Sequence, residues 1–287
     1  MSTLTVNQPF FFSGCQAQTI GPASCQPEVE AHFQDVSPAL TNITDAVPEG
    51  SILAFGYTHR EDPSHRSAVE VFANDILPQL AGKGYRDLVL EVFPHGKPTD
   101  LIEQEIDEFN RSGTIGTEMN RFLNVVDRAS FELLLQQVRN YGIEIHSGGV
   151  DYANIYQTLW YPGFQSYPQR VQMAREEIAK NSGRVIKALA GQDKEVFSLN
   201  GTRHNDLYPA PLNASSSFGK SLNAAFPGKF VEIDLVIPEL SARKDYFKDL
   251  PLSSKCTWKH FIPGSGVNLV SELGANSYLL FWPWPNS

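Results

Sequence analysis

Two histidines stand at the same spacing from a glycine, in Gly56-Tyr57-Thr58-His59 and in Gly201-Thr202-Arg203-His204. Each follows an apolar run of strand character, Ile52-Leu53-Ala54-Phe55 in one case and Val196-Phe197-Ser198-Leu199 in the other. Imidazole changes charge near neutral pH and also ligates metals. Two imidazoles delivered to one place therefore suit proton transfer or cation binding. Glu91 sits inside a third apolar run, Leu90-Glu91-Val92. A carboxylate is rarely buried unless paired, so Glu91 either faces solvent at a sheet edge or belongs to a site. Burial would raise its pKa toward the range useful for acid/base work; a nearby cation would lower it.

His59, Glu91 and His204 are thus the candidate catalytic residues. With Asp151, which follows the Gly148-Gly149 turn, they are also candidate ligands for a divalent metal. Asp151 equally suits a turn-stabilising role. His146, ahead of the same turn, reads as structural, as do His65 and His95, which have no matching partner in the sequence. Tyr57 and Arg60 beside the first histidine, and Arg203 beside the second, are candidate substrate contacts; Glu61 and Asp206 lie next to them. Arg203 would meet an anionic group or a surface carboxylate. The sequence contains no Gly-x-Ser-x-Gly elbow, phosphate-binding Walker loop, dinucleotide glycine fingerprint or His-Glu-x-x-His.

The elements that must position these residues follow from periodicity. Pro48-Glu49-Gly50 is a turn ahead of a strand at 51–55, and Gly56 and Gly201 would allow sharp exits from their strands. Asp62 and Pro63 resemble a helix start, and Val69, Phe72, Ala73, Ile76, Leu77 and Leu80 recur at helical spacing, weakened near Pro78. A second strand is expected over 86–93, acidic and amphipathic helices over 99–110 and 131–141, and a third strand over 143–146. An aromatic loop over 152–167 precedes a long helix over 168–190, broken near Gly183. Beyond the strand at 196–199 come a short helix over 215–225, a strand over 230–237, irregular chain over 240–275 and a last strand over 278–282. Strand, helix and strand in this order predict an α/β fold: a mostly parallel central sheet flanked by helices, with the site at the carboxyl ends of the strands. Residues 1–45 read as a peripheral or mobile extension and 46–287 as a single α/β domain.

The bulk properties bound the function. The chain has 287 residues, 41% hydrophobic and 19% charged, which is the composition of a soluble globular protein. A net charge of −9, with no basic cluster, argues against a nucleic-acid partner. No apolar run reaches the ~20 residues of a transmembrane helix. Cys15, Cys25 and Cys256 are too few and too scattered for a disulfide framework. Ser13-Gly14 ahead of Cys15 matches a lipoprotein cleavage site, but no basic or extended apolar region precedes it. No charged side chain occurs from Met1 to Pro27, a pattern that suits a peripheral terminus and is also similar to the starts of injected bacterial effectors. A cytoplasmic or a secreted location both follow.

On Gly56-Tyr57-Thr58-His59, Leu90-Glu91, Asp151 and Gly201-Thr202-Arg203-His204, the chain resembles the superfamily of TIKI/TraB proteins, ChaN-like haem-binding lipoproteins and erythromycin esterases. Arg170, Met173 and Ala174 on the long helix extend the resemblance, which covers roughly Ser51 to Ile237. It implies a hydrolase acting on an ester or peptide bond of a small-molecule or peptide substrate, with His59 and His204 in catalysis or metal binding. Glu91 would be acid/base or ligand, and Arg170 a further substrate contact. The rival it implies is a haem or metal binder with Tyr57 or a histidine as axial ligand, or an effector domain acting on a host protein. One departure stands out: many relatives of the esterase and ChaN-like types carry Gly-Glu-x-His, where this chain has Tyr57.

Overall fold

A computed structural model of the chain describes residues 31–59, 67–95, 100–124, 126–151, 167–236, 267–271 and 275–281. Every position of strand β2 (Ile52–Tyr57) is buried, as required of a strand covered on both faces. The other strands are β1 (Ala31–Phe33), β3 (Asp87–Leu90), β4 (Glu144–Ser147), β5 (Val196–Gly201), β6 (Phe230–Val236), β7 (Val267–Ser271) and β8 (Ser277–Phe281). They form one sheet in the order β1-β7-β8-β6-β2-β5-β3-β4. Six neighbours, β8 to β4, are parallel; β7 runs antiparallel to β8, and β1 antiparallel to β7. The expected α/β class, with a mostly parallel sheet between helices, is what the chain adopts.

Helix α1 spans Val36–Ala46, and a continuous helical stretch over 68–82, here α2, follows. Next come α3 (Asp100–Ser112), α4 (Thr117–Leu123), α5 (Arg128–Asn140), α6 (Tyr167–Ala190), a 3₁₀ segment (Pro211–Ser216) and α7 (Gly219–Ala225). Alternation along the strands separates two cores. Leu53, Phe55, Tyr57, Phe197, Leu199, Val231 and Ile233 pack on the face of α1, α2 and α5. Ile52, Ala54, Val89, Val196 and Phe230 face α6 and α7. Toward the carboxyl ends this second face turns polar: Ser198, Asn200, Glu232 and Asp234 are all buried there.

The chain joins the fold earlier than the sequence suggested. β1 is an edge strand, and α1 buries Val36, Ala39, Leu40 and Ile43. Four apolar positions among polar ones were too few to stand out. The Asp35 side chain caps α1, accepting from the Ser37 N–H at 2.9 Å. Asp35→Ala is expected to lower stability by about 1 kcal/mol in urea unfolding.

Other boundaries shift for physical reasons. The Asp62-Pro63 start lies outside the described residues, and the helix is described from Ala68. Phe72–Ile76 is a π-turn immediately before Pro78, where a proline cannot donate to a regular α-helical ladder. α6 runs unbroken through Gly183, whose missing side chain lets Phe218 pack against the helix. The expected helix at 215–225 divides into the 3₁₀ segment and α7. α4 and β7 were not anticipated. Among the described residues, no helix is long and apolar enough to cross a membrane.

Candidate functional site

β2, β5 and β3 are consecutive in the sheet, so their carboxyl ends lie side by side. Tyr57 is in register with Gly201, and Leu90 with Leu199. The Thr202 N–H donates to the Tyr57 carbonyl at 3.2 Å, tying the two Gly-x-x-His segments together just past the strands. β3 ends at Leu90, shorter than expected, and this puts Glu91 at the strand end rather than within it. β2 conversely extends through Gly56 to Tyr57, so Gly56 is a strand residue and not the exit turn. A side chain there would collide with the Asp234 carboxylate.

The three nominated residues meet. His59 Nε2 lies 3.5 Å from Glu91 Oε1, and His204 Nε2 lies 3.7 Å from Glu91 Oε2. The Glu91 and His204 side chains are only 7% and 8% exposed, whereas His59 is 50% exposed. One imidazole thus faces solvent and the other is sealed inside, with the carboxylate between them.

Burial pushes the Glu91 carboxyl up to about 7, against the opposing pull of the Gly201 N–H, the Tyr57 hydroxyl and the Asn200 amide. Its Oε2 is buried without a hydrogen-bond partner. Burial drives His204 down to about 4; the Ser216 carbonyl opposes this, and the charges of His59, Arg175 and Arg203 reinforce it. A carbonyl can only accept, so the 3.0 Å bond from His204 Nδ1 to the Ser216 oxygen places the ring proton on Nδ1. The Nε2 lone pair then points at Glu91.

Tyr57 is buried, its ring edge-on to His59 at 4.8 Å and to Phe131 at 6.4 Å. Arg203 contributes positive potential at His204 together with Arg175 of α6, which the sequence reading passed over. Arg170 is half-buried on the same helix. Arg60 and Glu61 lie outside the described residues. Asp206 belongs to a buried polar group with Glu232, Asn205 and Asp234: the Leu207 N–H donates to Glu232 Oε2 at 2.9 Å, and Asn205 Nδ2 donates to Asp234 Oδ1 at 2.9 Å. Burial raises Asp206 to about 6, and it holds Asp234 well above the usual carboxylate range. The available signal was two acids, Glu232 and Asp234, at alternate positions of an apolar strand.

Of the metal donors nominated from sequence, His59 and His204 each approach Glu91 within 4 Å. Asp151 instead bridges to His95 through the backbone, and its charge acts on that imidazole. Among the described residues, Asp87, Glu144 and His146 are the set whose ligand atoms all lie within 4.8 Å of one another, a possible metal-binding triad. It lies toward the opposite ends of β3 and β4 from Glu91. Asp87 Oδ1 already meets His146 Nε2 and Lys194 Nζ, each at 2.8 Å, so a cation would have to displace an ammonium. As a haem ligand Tyr57 fits poorly, because its hydroxyl points inward to Glu91. In an absorbance titration with haemin, Tyr57→Phe is expected to leave any Soret band as it is in the unsubstituted protein.

No protein-family model matches the chain, and no curated protein matches its sequence. Solved structures do match. The type III effector HopBA1 is 10% identical with a TM-score of 0.46, over 92% of this chain and 99% of that one. ChaN of Campylobacter jejuni, described with cofacial haem binding, is 13% identical with a TM-score of 0.44, over 69% of this chain and 85% of that one. RRSP, a MARTX toxin effector domain from Vibrio vulnificus CMCP6, is 16% identical with a TM-score of 0.44, over 61% of this chain. The match takes in only 32% of that toxin chain. A ChaN protein and toxin effector domains are thus among the structures to which this chain is similar.

Proposed function

We propose that the cleft at the ends of β2, β5 and β3 is a hydrolytic site for an ester or peptide bond of a small-molecule or peptide substrate. The observation that carries this reading is a single buried carboxylate, poised near neutrality, with an imidazole within 4 Å of each oxygen. A side chain whose pKa matches the working pH is the best placed to move protons in a transition state.

His59, open to solvent, is the general base. It takes a proton from water as the water oxygen attacks the carbonyl carbon, and returns that proton to the leaving oxygen or nitrogen when the tetrahedral intermediate collapses. Glu91, in its ionised form, orients His59 and stabilises the imidazolium that forms. His204, neutral and fixed by the Ser216 carbonyl, turns its Nε2 lone pair toward the second carboxylate oxygen and so stands ready to take the proton that the Glu91 carboxyl gives up. The positive potential of Arg175 and Arg203 around His204 is available to the developing oxyanion. The Tyr57 hydroxyl favours the ionised form of Glu91 and its ring packs on His59, so Tyr57 acts on the site from within.

A panel of p-nitrophenyl esters and fluorogenic peptides tests this reading. Turnover found with the unsubstituted protein is expected to vanish in His59→Ala and His204→Ala while circular dichroism stays unchanged. Full activity in both variants rejects it. No step is routed through a metal, so turnover is expected to survive dialysis against a chelator.

A further inference from the structure

We propose that Asn205 and Asp234 are positioning residues for His204, latching the turn that carries it onto β2 and β6. Asn205 follows His204 directly and is fully buried. Its amide donates twice, to the Ala54 carbonyl of β2 at 3.1 Å and to Asp234 Oδ1 of β6 at 2.9 Å. Asp234 is in register with Gly56, and only the missing side chain of Gly56 leaves room for it and for the Asn205 amide. Two residues further on, the Leu207 N–H is held by Glu232 of the same strand at 2.9 Å. The turn is therefore anchored to β6 through two side chains on one face of that strand.

A simple packing role explains this poorly. Asn205 Oδ1 is buried without a partner, and a buried carboxyl sits beside it. Apolar side chains would fill the same space without leaving polar atoms unsatisfied. What the polar pair adds is direction: an amide that must reach two acceptors on two strands fixes the turn in one orientation. The same turn points His204 Nδ1 at Ser216 and Nε2 at Glu91. Gly56, read from sequence as a sharp exit from its strand, instead clears the space for the latch.

The inference takes the site residues of the hydrolytic reading, but its test needs no substrate, so either can fail without the other. The full chain, labelled with ¹⁵N-histidine, is observed by long-range imidazole NMR at a pH about one unit above that of free imidazole. The unsubstituted protein is expected to show His204 as a single Nδ1–H tautomer, with widely separated ring-nitrogen shifts. In Asn205→Ala and in Asp234→Ala the two shifts are expected to converge as the tautomers average. Asp234→Asn keeps a carbonyl acceptor for Asn205 and is expected to restore the single-tautomer pattern. A folded Asn205→Ala protein that retains the original pattern overturns the proposal, as does averaging in Asp234→Asn equal to that in Asp234→Ala. Should Asn205→Ala fail to fold, Asn205→Ser, too short to reach Asp234, is read by the same shifts with the same two outcomes.

Discussion

Glu91→Gln is expected to lower kcat by about 10²–10⁴-fold, the usual worth of a positioned proton-transfer group. The substitution keeps the shape of the side chain and its reach to both imidazoles, yet removes the charge that would stabilise a protonated His59. The pH dependence separates this from a general loss of order. In the unsubstituted protein kcat/KM is expected to rise as pH passes about 7, where the Glu91 carboxyl gives up its proton. The Gln variant should lack that limb. A rate loss with the limb still present would assign the ionisation to another group and remove Glu91 from its role. A variant with undiminished kcat would remove the proton-transfer unit altogether.

Much of the site was legible because its chemistry is spelled in local sequence. The two Gly-x-x-His segments each follow a run of buried apolar residues, and an apolar run followed by glycine marks a strand end whatever lies around it. Glu91 was conspicuous as an acid flanked on both sides by apolar residues of such a run. That the three residues share one cleft depends on sheet order, which local patterns do not contain. β5 enters between β2 and β3, although its start at Val196 comes 105 positions after Glu91 in the chain.

What stayed hidden depends on contacts between distant elements. Gly56 looked like a strand exit because glycine usually marks a turn; its role is set by Asp234, which reaches it from another strand. Arg175 looks like any exposed helical arginine until α6 is docked beside the segment that carries Ser216. There Gln172 of the same helix donates to Ser216 Oγ at 3.0 Å. Asp151 comes four residues after β4, the edge strand beyond β3 and furthest from β2 on that side, and His95 is its neighbour. Proximity in a list of strand ends is not proximity in the sheet.

The same Glu91→Gln variant is expected to become more stable than the unsubstituted protein as pH rises, a gain that its kinetic loss would not suggest. The Glu91 carboxyl has an ordinary pKa of 4.5 and one of about 7 in the fold. Between those values the folded protein keeps a proton that the unfolded chain has released. The associated stability is therefore complete below 4.5 and is lost as pH climbs to about 7. The loss is on the order of 3 kcal/mol. Glutamine has no such titration, so the difference in unfolding free energy between variant and parent should move by about that amount in the variant's favour across the window.

His204 runs the opposite way. Its pKa falls from 6.5 to about 4 on folding, so it adds stability as pH rises through that interval. Asp206 and Asp234 follow the sign of Glu91. All three are present in both proteins, so to first order they cancel in the comparison. Urea unfolding of the pair at a series of pH values reads the difference directly, and one that stays constant with pH would mean that Glu91 is not buried as described. A difference that grows, together with a lost kinetic limb, would tie both effects to a single proton. The fold would then be keeping at neutral pH a carboxylate that weakens it, because the site works only when that carboxylate is charged.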